Sequence, residues 1–267
     1  MGVPPSLCRR FGRRDWHAIG HGMSGAEVWR FGGEPGFYLK IVSRADPIAV
    51  RELADEADRA GWLRAQGFPA ADVIEFDGVA DRCWLLTRTL AGRPVSAHWA
   101  ETERDRAIDA FADVARALHG LPVGSCPFDR SLAVTLPLAR SAVESDAVDL
   151  QRLDPERQGR TGHQMLASLD AAIPDQKEDL VVCHGDLCLP NVLLDPVDMT
   201  VTGLVDVGRL GSADRYLDLA LATRSIASES LNPQFGDRHV RRFLSRYGEI
   251  EPDPARIDFY RLLDEFF

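Results

Sequence analysis

The chain has 267 residues, of which 45% are hydrophobic and 27% are charged, as in ordinary globular proteins. Its net charge of −10 argues against nucleic acid as a partner, because phosphate binding needs a basic face, and a cationic partner is easier to accommodate. The sequence contains neither an apolar run of the roughly 18 residues that span a bilayer nor a signal-peptide core, so we expect a cytoplasmic protein that binds no membrane.

The first predicted elements are three strands joined by two glycine-containing turns over residues 17–42. The first turn, residues 21–25, has backbone N–H groups that can approach phosphate oxygens, although an ordinary hairpin fits it equally well. Lys40 in the third strand favours nucleotide binding, because lysine occurs only twice in this chain and a lysine at such a place can pair with phosphates. Tyr38 shares the face of Lys40, where it would lie against adenine or pack in the core.

A helix is predicted over residues 48–66, where Leu53, Ala57 and Ala60 trace an inward stripe. Glu56 lies beside this stripe. Taken alone, its carboxylate would more often be in solvent. With Lys40 on the preceding strand, the lysine–glutamate ion pair of kinases becomes the favoured interpretation.

Two further strands, residues 73–76 and 83–87, complete a small predicted lobe of five strands and one helix. The glycine-containing stretch 88–94 is a plausible hinge. We therefore predict an α+β, two-lobed, protein-kinase-like fold. Residues 1–90 would form an N-terminal nucleotide-binding lobe with an antiparallel sheet, and residues 91–267 a larger, mainly helical catalytic lobe.

The rest of the chain is predominantly helical in pattern. Helices are predicted at residues 103–119, 131–146, 162–172, 214–229, 236–247 and 254–263. Asp214 is placed to cap the helix that follows it. Asp218 lies among apolar residues, and a buried carboxylate needs partners. We expect it to support the backbone of the loop described next.

That loop lies between the short predicted strands 180–183 and 192–194. Asp186 and Asn191 have the Asp-x-x-x-x-Asn spacing of a kinase catalytic loop, and Asp206 follows the next predicted strand. Phosphoryl transfer needs a carboxylate that accepts the proton of the attacking hydroxyl, and oxygen ligands that hold Mg²⁺. Each of these residues, taken alone, is also explained by a cap or a bend in the backbone. The three together, in this order, predict phosphoryl transfer.

These segments resemble the aminoglycoside phosphotransferases, most closely the 3′ type, also called kanamycin or neomycin kinases. The resemblance is carried by residues 181–191, 205–211, 213–216 and 259–267, and at lower density from Trp16 onward. It implies ATP and Mg²⁺ as cofactors, the 3′-hydroxyl of an aminoglycoside as phosphoryl acceptor, and a role in antibiotic resistance. We expect a monomer or a weak dimer.

The resemblance also implies roles for individual residues. Asp186 would be the base, with Arg209 beside it, and Asn191 and Asp206 would be Mg²⁺ ligands. The residues expected at the nucleotide are Lys40, Glu56, Met23 and Ser24, with Tyr38 as a further candidate. The residues expected at the acceptor are Arg224, Asp264, Glu265 and Phe267 with its terminal carboxylate. Clustered carboxylates suit an acceptor that carries several ammonium groups.

Asp154 and Glu156 are candidates for the opposite side of this acidic wall, although an acidic turn at a helix boundary explains them equally well. Ser225 and Ser228 stand where family members often carry acids. Two alternatives remain open: the same fold acting on streptomycin or on a metabolite such as choline or homoserine, and a non-catalytic nucleotide-binding module. The second would be expected to lack at least one catalytic-type residue, and none is missing.

Overall fold

A computed structural model describes residues 2–12, 15–21, 26–33, 36–79, 81–248 and 251–267. Within these residues, the first part of the fold is an antiparallel sheet of five strands in the order β1-β2-β3-β5-β4. The strands are β1 (Trp16–His21), β2 (Glu27–Phe31), β3 (Phe37–Ser43), β4 (Val73–Val79) and β5 (Arg82–Arg88). All five occupy the predicted segments, so the sheet of the small lobe is confirmed.

Strand β3 shows how the sequence divides this sheet into two faces. Phe37, Leu39 and Ile41 are buried on one face, whereas Tyr38 and Lys40 point to the other. This follows from the two-residue period of a strand. The apolar alternation therefore fixes the direction in which Lys40 points.

A short helix, α1 (Pro5–Phe11), covers the buried face of the sheet and was not predicted. It buries Leu7 and places Phe11 against the aromatic rings of that face. The ring partners are Trp16, Phe31 and Phe37. With seven residues and four exposed positions, α1 is too short to give a helical hydrophobic period.

The helix α2 (Pro47–Ala65) joins the sheet to the rest of the molecule. It begins at Asp46, whose Oδ1 accepts the N–H groups of Ile48 and Ala49 at 3.1 and 3.0 Å, a favourable N-cap. Leu53 packs in the apolar cluster beneath the sheet. Ala60 belongs to the large core of the C-terminal part. One helix therefore packs against both halves of the fold.

The C-terminal part is mainly helical, as predicted. Its helices within the described residues are α3 (Glu101–His119), α4 (Leu132–Glu144), α5 (Gly162–Ala171), α6 (Arg215–Ala227), α7 (Asp237–Tyr247) and α8 (Pro254–Asp264). Each matches a predicted helix to within a few residues at either end, and Asp214 caps α6 as expected, by accepting the Tyr216 N–H. In the described ranges, no helix combines the length and the apolar character that crossing a bilayer requires.

Two small sheets carry the loop between the helices. In the first, β7 (Leu180–Cys183) pairs with β10 (Gly211–Asp214); in the second, β8 (Val192–Leu194) lies between β6 (Arg93–Pro94) and β9 (Val201–Leu204). Strands β7, β8 and β9 were predicted. The pairing strands β6 and β10 were not, because they are short and gain their hydrogen bonds only from distant segments.

Helices α3 and α7 are joined by a ladder of ion pairs. Arg242 donates two hydrogen bonds to Asp109, at 2.7 and 2.5 Å, and a third to Asp105 at 3.1 Å. One turn further on, Arg246 forms a two-bond pair with Asp113. Two-bond arginine–carboxylate pairs have a defined geometry, so the ladder fixes the register of the two helices.

We expect Arg242→Met to lower the free energy of unfolding by about 1 kcal/mol, because this pair is two-pronged but partly exposed. Urea unfolding at low and high salt would measure the change. The loss should shrink in 1 M salt, which screens exposed charges. Arg241→Met, at the exposed neighbouring position, serves as control; an equal loss there would rule out the ladder as the cause.

Candidate active site

A three-residue ion cluster joins the small sheet to the C-terminal part. The Lys40 Nζ atom lies 2.8 Å from both carboxylate oxygens of Glu56 on α2 and 2.5 Å from Oδ1 of Asp206. Burial lowers the pKa of Lys40, but the two adjacent carboxylates outweigh burial and raise it above its ordinary value. The predicted Lys40–Glu56 pair is confirmed, and Lys40 remains charged.

Asp206 is held in an unusual backbone conformation. Its φ and ψ angles are 55° and 44°, in the left-handed region that aspartate enters more readily than most residues but still at a cost. It follows β9, as predicted, and the turn brings its carboxylate to Lys40. Although burial raises the pKa of Asp206, Lys40 lowers it further, so the net shift is downward. Asp206 is therefore a preformed anion.

The predicted catalytic loop brings Asp186 and Asn191 into direct contact. The Nδ2 group of Asn191 donates to Oδ2 of Asp186 at 2.9 Å and to the Asp186 carbonyl at 3.0 Å. The Val205 N–H donates to the Asn191 carbonyl at 3.0 Å, which places Asp206 beside the loop. Since Nδ2 is directed at Asp186, the amide oxygen of Asn191 is left for another partner. Amide and carboxylate oxygens are ligands that Mg²⁺ accepts, so the donor set fits this ion.

The backbone of the loop is anchored by Asp218, whose side chain is fully buried. Its carboxylate accepts the N–H groups of His184 and Gly185 at 2.7 and 2.9 Å, and His119 Nε2 at 3.0 Å. His119 Nδ1 in turn lies 2.8 Å from the Tyr247 hydroxyl. The predicted support of the loop by Asp218 is confirmed. His119 and Tyr247 were not identified from sequence.

Gly185 allows the chain to approach Arg209 closely. Its φ is 83°, and a Cβ atom there would lie 2.0 Å from the Arg209 carbonyl oxygen. No other residue fits such a position. The Arg209 guanidinium extends to Asp264, whose Oδ1 lies 3.0 Å from NH1. Asp186, the candidate base, directly follows Gly185 and therefore lies next to this close contact with the Arg209 backbone.

The acids predicted to bind the acceptor do gather in one place, but arginines hold them. We call Asp154, Glu156, Asp264 and Glu265 the acidic cluster. Glu265 accepts the Asp154 N–H at 3.1 Å. The C-terminal acids and the proposed opposite side of the acidic wall are therefore in direct contact. The arginines in contact with the cluster are Arg157, Arg209 and Arg224. The side chain of Glu265 is only 6% exposed, whereas that of Glu156 is 66% exposed.

Arg157 was missed by the sequence analysis, although it directly follows Glu156. Arg157 is buried, and its only signal in the sequence is its position directly after Glu156 and three residues after Asp154. Arg224, which was predicted at the acceptor, contacts Asp264 Oδ2 at 2.5 Å and Asp154 Oδ2 at 3.3 Å. The cluster is therefore close to electrical balance.

Ser225, one of the two serines in expected acid positions, faces the catalytic loop. Its Oγ accepts the N–H of Leu189 at 3.0 Å, between Asp186 and Asn191 in the chain. Ser228 lies outside this contact and accepts the Leu231 N–H at 3.3 Å. Ser225 thus holds the catalytic loop in place. The acids that family members often carry at this position gave no indication of this role.

The remaining predicted residues lie at the edges of the site. Tyr38 is 36% exposed on the same sheet face as Lys40. Phe267 is 40% exposed, and its ring centroid lies 5.2 Å from the guanidinium carbon of Arg130 and 5.9 Å from that of Arg209. Met23 and Ser24 lie outside the described residues.

The sheet with its lysine–glutamate pair, the Asp-x-x-x-x-Asn loop and the following Asp206 define a kinase-like phosphotransferase. The sequence model of the phosphotransferase enzyme family matches residues 15–260, and the chain belongs to this family. It is 46% identical to an aminoglycoside 3′-phosphotransferase of Streptomyces fradiae, over 98% of both chains. It is 39% identical to a streptomycin 3″-kinase of Streptomyces griseus, over 94% of this chain and 91% of the kinase.

Solved structures agree with this assignment. The crystal structure of an aminoglycoside 3′-phosphotransferase of type VIII superimposes with a TM-score of 0.90 at 44% identity, covering 98% of this chain and 97% of that one. An aminoglycoside phosphotransferase of Streptomyces rimosus, in complex with ADP and streptomycin, has a TM-score of 0.82 at 33% identity, covering 97% and 95%. The predicted two-lobed kinase-like fold is confirmed.

We expect Ser225→Ala to destabilise the protein by about 1–3 kcal/mol, because it leaves the buried N–H of Leu189 without its acceptor. Phosphotransferase activity should fall by more than the loss of folded protein accounts for, because the segment released at Leu189 also carries Asn191. Thermal unfolding and steady-state rates would measure both. Ser228→Ala should stay within about 0.5 kcal/mol of the parent; matching losses in the two variants would contradict the loop-holding role.

The buried carboxyl of Glu265 predicts a pH dependence. Burial raises its pKa from 4.5 to about 7, so the folded state binds the proton more tightly than the unfolded state does. Its contribution to stability is therefore favourable at low pH and is lost as the pH rises between about 4.5 and 7. The free energy of unfolding of Glu265→Gln, relative to that of the parent, should therefore rise by about 2 kcal/mol between pH 5 and pH 8.

Urea unfolding at several pH values would measure that difference. The exposed residue Glu144 provides the matched control, because Glu144→Gln should show no such trend. A constant difference between Glu265→Gln and the parent across this range would refute the assignment.

Proposed function

We propose that this chain transfers the γ-phosphoryl group of ATP to the 3′-hydroxyl of an aminoglycoside of the kanamycin and neomycin type, and thereby confers resistance. The observation that carries the proposal is the contact of Asp186 with Asn191 beside the Lys40–Asp206 pair. It assembles the groups that phosphoryl transfer needs. The 46% identity to an aminoglycoside 3′-phosphotransferase supports the choice of acceptor.

The nucleotide would lie between the sheet and the catalytic loop. Lys40, oriented by Glu56, would bind its phosphates, and Tyr38 would lie against the base. Met23 and Ser24 are proposed at the phosphates from resemblance. Asn191 and Asp206 would hold Mg²⁺, which supplies electrostatic neutralisation of the transferred group. The ADP bound by the Streptomyces rimosus relative supports the use of a nucleotide.

Asp186 is proposed as the base that orients the acceptor hydroxyl and takes its proton. The Asn191 amide and the anchored loop backbone hold its carboxylate in one direction. Because Asp186 keeps one carboxylate oxygen clear of the Asn191 contact, that oxygen can accept the hydroxyl proton. Arg209, one turn beyond Asp206, is proposed to stabilise negative charge at the active site.

The acceptor would lie against the acidic cluster, with Arg224 and Phe267 at its border. Ammonium groups of the acceptor would bind the carboxylates of Asp154, Glu156, Asp264 and Glu265. In this arrangement, residues 1–90 serve as the nucleotide lobe and residues 91–267 as the catalytic and acceptor lobe. A streptomycin 3″-kinase activity is less favoured because that relative is the more distant one, at 39% identity.

The direct test is to incubate the purified protein with Mg-ATP and kanamycin, neomycin or streptomycin, and to locate the phosphate on any product by NMR. A 3′-phosphate on kanamycin or neomycin is expected. Phosphate on streptomycin alone would favour the 3″ activity. Turnover of choline or homoserine without turnover of any aminoglycoside would replace the proposal.

We expect Asp186→Asn to lower kcat by at least about 10³-fold, because it removes the proton acceptor while keeping the shape of the side chain. ATP affinity should stay within a few-fold of the parent. Coupled ADP-release assays and calorimetry would measure the two quantities. Asp170→Asn, on the exposed face of α5, is the control. A kcat within about tenfold of the parent would remove Asp186 from the base role.

A further inference from the structure

A line of alternating charges runs outward from the catalytic loop. It begins at Arg209, which packs against Gly185, and passes through Asp264, Arg224, Asp154 and Arg157, with each contact at 3.3 Å or less. Arg224 lies between the carboxylates of Asp264 and Asp154, and Arg157 lies between those of Asp154 and Glu265. The line therefore connects the catalytic loop, at the residue before Asp186, to the acids proposed to bind the acceptor.

Arg157 is the most heavily engaged of these arginines. Its NH1 atom lies 2.8 Å from Glu156 Oε1, 3.1 Å from Asp154 Oδ2 and 3.3 Å from Glu265 Oε1. Its side chain is only 9% exposed. A single buried nitrogen thus faces three of the four carboxylates of the acidic cluster. Arg209 and Arg224 share the fourth, Asp264.

The charge of the cluster is set by these arginines. The four carboxylates are opposed by the three guanidiniums of Arg157, Arg209 and Arg224, so the net charge of the group is −1 when all are ionised. Removing the positive charge of Arg157 would double the negative charge that an ammonium group meets. The other two arginines cannot have this effect alone, because both also hold Asp264 beside the catalytic loop.

We propose that Arg157 determines acceptor specificity: it is an internal cation that occupies Asp154, Glu156 and Glu265 in place of ammonium groups and so limits how many such groups an acceptor can bind. The inference rests on the proposed function. Acceptors whose amines reach only Asp264 are unaffected by Arg157. Acceptors with an additional amine directed at Asp154 or Glu156 must compete with it.

The electrostatic size of the effect follows from the distances. A second cation within about 6 Å of Arg157, at the border between protein and solvent, meets a repulsion that corresponds to roughly a tenfold loss of affinity. Removing the charge of Arg157 should therefore lower KM by about tenfold. The chemistry at Asp186 is several contacts away, so kcat should stay within about twofold.

The experiment compares the parent with Arg157→Met and Arg157→Lys, using kanamycin and forms of it in which one amine at a time is acetylated. Arg157→Met should lower the KM of kanamycin by about tenfold. The gain should disappear for one of the acetylated forms and shrink in high salt. Arg157→Lys keeps the charge and should return KM toward the parent value. Arg140→Met, which removes an exposed arginine paired with Asp170, is the matched control.

If Arg157→Met does not accumulate as folded protein, Arg157→Gln replaces it, because it keeps hydrogen-bond donors without the charge and predicts the same fall in KM. An unchanged or raised KM in the uncharged variant, with the parent active, would overturn the specificity role and leave the proposed function intact. A fall in kcat without a fall in KM would also overturn it. No turnover of any aminoglycoside by the parent would overturn both.

Discussion

The buried carboxylate of Asp218 is the constraint on which the arrangement of the active site depends. A carboxylate removed from water must be matched by donors. Here the donors are two backbone N–H groups of the catalytic loop, at His184 and Gly185, and the ring of His119. Helices α3 and α6 therefore meet at one anion, and α7 joins them through the Tyr247 hydroxyl at His119 Nδ1. The loop that carries Asp186 cannot move away without removing two of the three donors of this anion.

The same principle, a charge satisfied by a distant segment, recurs across the site. Lys40 takes carboxylates from α2 and from the turn after β9, and Arg224 takes carboxylates from two segments more than a hundred residues apart in sequence. Such pairs add little net stability when exposed. Their main effect here is to fix the position of groups that must be within bonding distance of a substrate.

Sequence patterns predicted most of the fold and the centre of the site, because those depend on local periodicity and on spacing within one loop. The strand period placed Lys40, and the Asp-x-x-x-x-Asn spacing placed Asp186 and Asn191. What the sequence did not predict depends on contacts between distant segments. The seven-residue α1 is stabilised by aromatic rings of the sheet. The role of Arg157 depends on its contact with Glu265, which is 108 residues away in the sequence.

The placement of α2 has a mechanical consequence. Its C-terminal half is fixed to the C-terminal part by Arg59, which donates to the Leu210 carbonyl at 2.8 Å, while its N-terminal half packs beneath the sheet that carries Lys40. Any rotation of the sheet relative to the rest of the molecule must therefore change the distance between Lys40 and Glu56. The Lys40–Glu56 ion pair forms only when the sheet and the helix are aligned, so the formation of this pair and the relative position of the two halves are one degree of freedom.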